Sequence, residues 1–267
     1  MNVKAGFFSL LMFSAAAFAN ERDETLINKF MKQELAKEIS KMPDKKASIQ
    51  SIRFLTEKKI NKIWTGYFFV MKISLTEDGE TKVAPSKFIM FTDGQTVTGE
   101  LPSHLAKNIV VDLTPKIEPL MYDEDHYVAG NKNAKHKIVV FSDPICPGCR
   151  NAIPKILDKV RKNPKDYVLY FYHFPLEQIH PQAAGIVKSM NALERLGKHD
   201  VIDRVYRGEV DSVDDLQRIY GKFKITKKDV EKYKNDLEVT ERMAVAGTPS
   251  LYYDGESDPF GKKFFNK

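Results

Sequence analysis

An apolar run, Ile138-Val139-Val140-Phe141, is followed after a short turn by apolar residues at helical spacing, Ile153, Ile156, Leu157 and Val160. The junction carries Cys146-Pro147-Gly148-Cys149, the only two cysteines among 267 residues. A buried strand running straight into an amphipathic helix is the opening of a layered α/β unit, and this junction constrains the fold more than any other stretch. The text on either side extends the pattern. It predicts a strand over His136–Ser142, a helix from Cys146 or just after to Lys162 and a strand over Tyr167–Tyr172. Helices follow over Pro181–Leu196, Asp200–Tyr206, Val213–Phe223 and from Lys227 onward, and a late strand, Ser250–Tyr253, closes on Asp254-Gly255. Ser212 with Asp215, and Thr226 with Asp229, have the spacing of capping boxes with Asp in the acidic position. The expectation is an α/β fold with a helical insertion.

The first half of the chain has a different period. Leu26, Ile27, Phe30, Met31, Leu35 and Ile39 mark an amphipathic helix over Glu24–Ser40, stopped by Pro43. Stretches rich in β-branched and aromatic residues then predict strands over 49–55, 63–75, 87–91 and 95–99, with Asp78-Gly79 and Asp93-Gly94 as turns. One helix and an antiparallel meander make a small α+β domain, whose core or self-association surface would take Trp64, Tyr67, Phe68 and Phe69. Four segments result: residues 1–19 as a signal peptide, 20–100 as the α+β domain, 101–129 as a partly helical connector and 130–267 as the α/β domain. The signal reading rests on Lys4, the apolar run Ala5 to Phe18 and the small-x-small Ala17-Phe18-Ala19 before Asn20. That run is shorter than the roughly 20 residues that span a bilayer, so export by cleavage is expected. Loss of Lys4 takes the formal charge from +6 to +5. The charge is spread as mixed text such as Lys227 to Glu238, without the basic stripe of a nucleic-acid binder.

Export makes the cysteine count informative. A secreted domain that relies on staples carries four, six or more cysteines, and a disulfide across two residues removes little entropy from the unfolded chain. A structural zinc wants four ligands, and no second cysteine pair exists; His173 and His180 lack a usual ligand spacing and read as a loop beside a strand end. No metal site and no cofactor is expected. A redox pair fits the placement better. Cys146 would sit at the positive end of the helix, which favours thiolate, and Cys149 would be buried one turn further in. Cys146 then attacks a disulfide and Cys149 resolves the mixed disulfide. Asp143 reads as a turn residue or as a carboxylate near the thiols.

At this point the sequence resembles the thioredoxin-fold protein thiol-disulfide oxidoreductases, and within them the exported disulfide-bond proteins of bacteria. The likeness rests on "FSDPICPGC" after a strand, on Pro154 five residues beyond Cys149, and on "GTPSLYYDG" at Gly247 to Gly255. In that family a late residue-proline step is cis and faces the cysteines. The resemblance thus implies that Thr248 and Pro249 sit beside Cys146 and that Thr248 pairs with an extended client chain as an added strand. A mid-helix proline costs about 3 kcal/mol, so Pro154 needs such a reason.

The segment layout resembles the dimeric DsbC and DsbG branch, whose N-terminal cystatin-like domain dimerises. Threonine before the proline agrees with that branch. The dipeptide Pro147-Gly148 lacks the histidine of the strong oxidase DsbA, while "FPLEQIHPQAAG" resembles text in oxidase-like members. The resemblance implies a periplasmic homodimer that isomerises or reduces non-native disulfides in exported clients and is recycled by a membrane redox partner, with no nucleic-acid partner. A disulfide-donating oxidase on the same scaffold, and a client-binding chaperone, stay as alternatives.

Overall fold

The computed structural model describes residues 21–101, 113–245, 247–258 and 261–266. The expected signal peptide and residues 102–112 of the expected connector lie outside them. The chain divides into two compact units, residues 1–107 and 108–267.

In the first unit, α1 (Glu21–Ile39) precedes an antiparallel sheet of β1 (Lys46–Lys59), β2 (Thr65–Glu77), β3 (Glu80–Thr92) and β4 (Val97–Thr98), in sequence order. Ile27 and Met31 of α1 pack on Tyr67, Phe69 and Met71, which share one face of β2 because side chains alternate along a strand. Tyr67 donates from its hydroxyl to the buried Asp23 carboxylate at 2.9 Å, which gives that acidic side chain a partner inside the core. The β2–β3 turn is Asp78-Gly79, both at positive φ (50° and 80°), as a two-residue hairpin turn requires.

These strands run longer than their apolar cores. Residues 80–86 were not expected to be strand, yet β3 runs through them, Pro85 included. Pro85 is tolerated there because β3 pairs with β4 only at Phe91 and Thr92, leaving this stretch of β3 as a sheet edge where a missing N–H costs no ladder bond.

The second unit is built on a five-stranded sheet in the order β5-β7-β6-β8-β9. β6 (His136–Ser142) and β7 (Tyr167–His173) are parallel, joined by α2 (Pro147–Lys162). β5 (Tyr127–Gly130) runs antiparallel to β7, and β8 (Ser250–Tyr253) antiparallel to β6. Between β7 and β8 come α3 (Ala183–Arg195), α4 (Val201–Tyr206), α5 (Val213–Tyr220) and α6 (Lys227–Arg242); β9 (Glu256–Ser257) and α7 (Lys262–Phe265) close the chain.

Both faces of this sheet are covered, which is why β6 and β7 read as continuous apolar runs. Ile138, Val140, Leu169 and Phe171 face α2 and the α3–α5 insertion, whereas Val139, Phe141, Tyr170 and Tyr172 face Met121, Met243 and Val245. β5 falls in the expected connector, so the sheet starts before residue 130. At four residues the strand is too short to show an alternation in the sequence.

Candidate active site

β6 delivers the chain to a turn made by Asp143, which is fully buried. One carboxylate oxygen, Oδ1, accepts from the Ile145 amide at 2.7 Å and the Cys146 amide at 3.1 Å. The other, Oδ2, accepts from the Leu176 amide at 2.7 Å and from His180 Nδ1 at 2.9 Å. Cys146 is the N-cap of α2 in extended conformation, and Pro147 holds the first helical position, where its missing N–H leaves no bond unmade. The first-turn amides of a helix have no acceptor of their own, so the Cys146 sulfur lies at an end where negative charge is favoured.

Pro154 lies inside α2, whose buried stripe is Cys149, Ile153, Ile156, Leu157 and Val160. Arg150 ties the site to the helical insertion: its Nε donates to the Pro144 carbonyl at 2.9 Å, Nη2 to the Val210 carbonyl at 2.6 Å, and Nη1 to Asp211 at 2.6 Å.

The late loop meets this turn. Thr248–Pro249 is a cis peptide, and the Thr248 carbonyl lies 3.4 Å from Cys146 Sγ. Gly148 faces the same proline: a Cβ there would stand 3.3 Å from Pro249 Cδ and 3.8 Å from Cys146 Sγ. The six residues singled out from the sequence, Cys146, Pro147, Gly148, Cys149, Thr248 and Pro249, thus come together at the N-terminus of α2.

The two thiols, both free, differ in environment. Cys146 is half-buried, and Cys149 has no exposed surface. Burial pushes the Cys149 thiol up to about 12, although the nearby Ser142 and Thr248 hydroxyls and the Asp143 backbone pull the other way. Cys149 is therefore a neutral thiol until something brings a second sulfur to it. Tyr206 of α4 is buried in the same cluster, its phenol pushed up by burial and by the nearby cysteine.

His173 and His180 part ways. His180 joins Asp143, whereas His173 lies inside the protein, its imidazole pushed down to about 3 by burial. Its amide donates to Asp236 Oδ2 at 3.0 Å, and Asp236 Oδ1 meets His126 Nε2 at 2.7 Å. His126 Nδ1 in turn meets Asp123 Oδ1 at 2.6 Å, and its ring stacks on Tyr172. Among the described residues no group of three or more His, Cys, Asp or Glu is placed to hold a metal ion. The Asp123–His126–Asp236 bridge has no signal in the sequence. The Asp143–His180 pair had one, a carboxylate three residues before a cysteine, but nothing in the text connects it to a histidine beyond the next strand.

A half-buried thiol at a helix N-terminus, a second thiol one turn in and a backbone carbonyl against the first make a unit able to exchange disulfides. Among curated proteins the chain is 30% identical over 154 residues to the Na(+)/H(+) antiporter NhaA 1 of Mycolicibacterium vanbaalenii, covering 52% of this chain and 25% of that protein. It thus spans about a quarter of the length of the curated relatives it matches. No described helix is long and apolar enough to cross a membrane. Among solved structures, the catalytic domain of Proteus mirabilis ScsC aligns with 52% of this chain and 83% of its own at 19% identity and a TM-score of 0.46. A periplasmic thioredoxin-like protein from Salmonella enterica serovar Typhimurium aligns with 55% of this chain and 94% of its own at 18% identity and a TM-score of 0.44. The sequence model of the thioredoxin family matches residues 123–258, half of the chain, from just before β5 to just after β9, and the chain belongs to that family.

Proposed function

We propose that the protein is an exported thiol-disulfide oxidoreductase that isomerises or reduces non-native disulfides in exported proteins. The observation that carries this reading is the asymmetry of the pair: Cys146 Sγ lies 3.4 Å from the Thr248 carbonyl at the mouth of the site, and Cys149 is wholly buried behind it. The Cys146 thiolate attacks one sulfur of a client disulfide. A Cys146–client S–S bond forms, the client S–S bond breaks, and the second client sulfur leaves as a thiolate that takes up a proton.

Two outcomes follow. In isomerisation a client thiolate attacks the mixed disulfide, a new client disulfide forms and the Cys146 thiolate is regenerated. In reduction Cys149 attacks Cys146 Sγ, its proton ends on the released client thiol, and the Cys146–Cys149 disulfide remains, the client having gained two electrons. A membrane dithiol partner then supplies two electrons and two protons, itself becoming a disulfide as the Cys146–Cys149 bond is reduced to two thiols. Thr248 and Pro249 dock the client as an added strand, and the dipeptide between the cysteines, Pro147-Gly148, carries no histidine.

In this reading residues 1–19 direct export to the periplasm, 20–100 form the dimerisation domain of a homodimer, 101–129 connect it, and 130–267 catalyse exchange. Expression of a Cys149→Ser variant in cells tests it, since that variant cannot resolve its mixed disulfides. Clients linked through Cys146, with a membrane redox protein among them, are the expected result, and capture of nothing overturns the reading. Recovery of the unmodified protein mainly as the Cys146–Cys149 disulfide, without refolding of a scrambled substrate, would assign it to disulfide donation instead. Sedimentation of the mature chain as a monomer would remove the homodimer.

A further inference from the structure

Asp143 is a buried carboxylate with every lone-pair direction in use. About four acceptor sites exist on such a group, and it takes the Ile145 and Cys146 amides on one oxygen and the Leu176 amide and His180 Nδ1 on the other. One oxygen therefore sets the backbone that presents Cys146, and the other is anchored to the loop after β7. That loop holds the imidazole firmly: the His180 amide donates to the Leu176 carbonyl at 2.8 Å, and the Ala183 amide donates to the His180 carbonyl at 3.0 Å.

Since a carboxylate only accepts, Nδ1 of His180 carries the hydrogen of this bond. The His180 side chain is 17% exposed, whereas that of Asp143 is fully buried. With a neutral ring the pair carries one negative charge beside the Cys146 amide, and with an imidazolium it carries none. A negative charge there disfavours a second one on Cys146 Sγ.

Two other charged side chains near the turn have partners of their own, Arg150 partly on the turn itself. Arg150 of α2 is spent on Pro144, Val210 and Asp211, and Glu177 of the same loop is bonded to the Tyr233 hydroxyl of α6. Cys149, beneath, is neutral.

We infer that His180 is a positioning residue for the nucleophile: through Asp143 it holds the Cys146 backbone in place and offsets the carboxylate charge that would otherwise disfavour the Cys146 thiolate. This rests on the reading of Cys146 as the attacking sulfur. The test uses the full-length mature protein with Cys149→Ser, so that Cys146 is its single thiol, and follows alkylation by iodoacetamide from pH 5 to 9. His180→Ala is expected to slow alkylation at pH 7 by about three- to tenfold, since one pKa unit is a factor of about ten in thiolate. His180→Asn keeps an N–H near the Nδ1 position and is expected to recover most of that rate while losing the histidine inflection. An unchanged profile in His180→Ala, with only thermal stability reduced, overturns the inference. Should His180→Ala not fold, His180→Asn decides alone, and an inflection retained in it overturns the inference. Exchange of a model disulfide by the unmodified protein is measured alongside. A protein that alkylates with this profile but exchanges nothing defeats the functional reading and leaves the positioning role standing.

Discussion

The burial of Cys149 sets a rate that can be measured. In a Cys146→Ser variant Cys149 is the sole thiol, fully buried and with its thiol pushed up to about 12. An ordinary thiol near 8.5 is about 3% thiolate at pH 7. At about 12 the fraction falls to roughly 1 in 100,000, a difference of about three thousandfold in the reactive species. Steric closure by the α2 stripe and Tyr206 can only slow it further. Native Cys146→Ser protein incubated with iodoacetamide at pH 7 is therefore expected to show almost no label by intact mass, at a rate at least about a thousandfold below that of the same protein in denaturant. The rate should climb with pH up to the limit of stability without reaching a plateau. Labelling of the native variant within tenfold of the denatured rate would refute the argument that burial keeps the Cys149 thiol silent.

Other consequences are tested as directly. Asp236→Asn breaks a buried bridge and should cost about 3–5 kcal/mol, about 10 °C in Tm for a unit of this size. Burial favours the neutral Asp236, but the His126 hydrogen bond and the Lys232 and His126 charges outweigh it and hold the carboxyl low; that stability is present above the ordinary carboxylate range and lost as pH falls. His126, pushed down by burial but raised on balance by its bonds to Asp123 and Asp236, adds stability below its ordinary value that disappears as pH climbs through the raised one. The Tm gap between parent and variant should thus be widest between about pH 4 and about pH 6.5, and an equal gap at pH 5 and pH 9 would exclude an ion bridge.

Gly130 sits at φ 94°, and a Cβ there would lie 2.1 Å from the Tyr167 carbonyl oxygen, so Gly130→Ala should cost more than about 4 kcal/mol. Gly208→Ala, at φ 85° with nothing within 4 Å, should cost only about 1 kcal/mol in the same denaturant titration. Gly148→Ala must move Pro249 by a few tenths of an ångström. It should lower kcat/KM for a model disulfide while costing about 1 kcal/mol of stability, and unchanged kinetics would argue against client docking at Pro249.

The elements most legible in the sequence are those whose burial is two-sided or whose turn is chemically marked. β6 and β8 have the bounds expected from apolar runs, and Asp78-Gly79 turns as its residue types require. α5 stops at Tyr220, short of Phe223, because Gly221 takes a positive φ of 78°. The ends of β1 and β3 went unread because Lys, Glu and Thr on a half-exposed sheet carry no apolar alternation.

By itself the sequence determined the α/β alternation of the second unit, the helix and meander of the first, and the strand-to-helix junction that holds both cysteines. These are local properties, written in period, turn chemistry and the N-terminal position of Cys146 on its helix. Only the tertiary structure decided which distant groups meet. The Cys146 sulfur and the Thr248 carbonyl are 102 residues apart, a meeting implied beforehand by family resemblance alone, while His180 and Asp143, 37 apart, and His126 and Asp236, 110 apart, had no such pointer. Their pairing depends on how strands order in the sheet and how helices pack on it. No local period encodes that arrangement, and the side chains involved, a lone histidine or a lone aspartate, look alike in the sequence whether or not a partner lies across the fold.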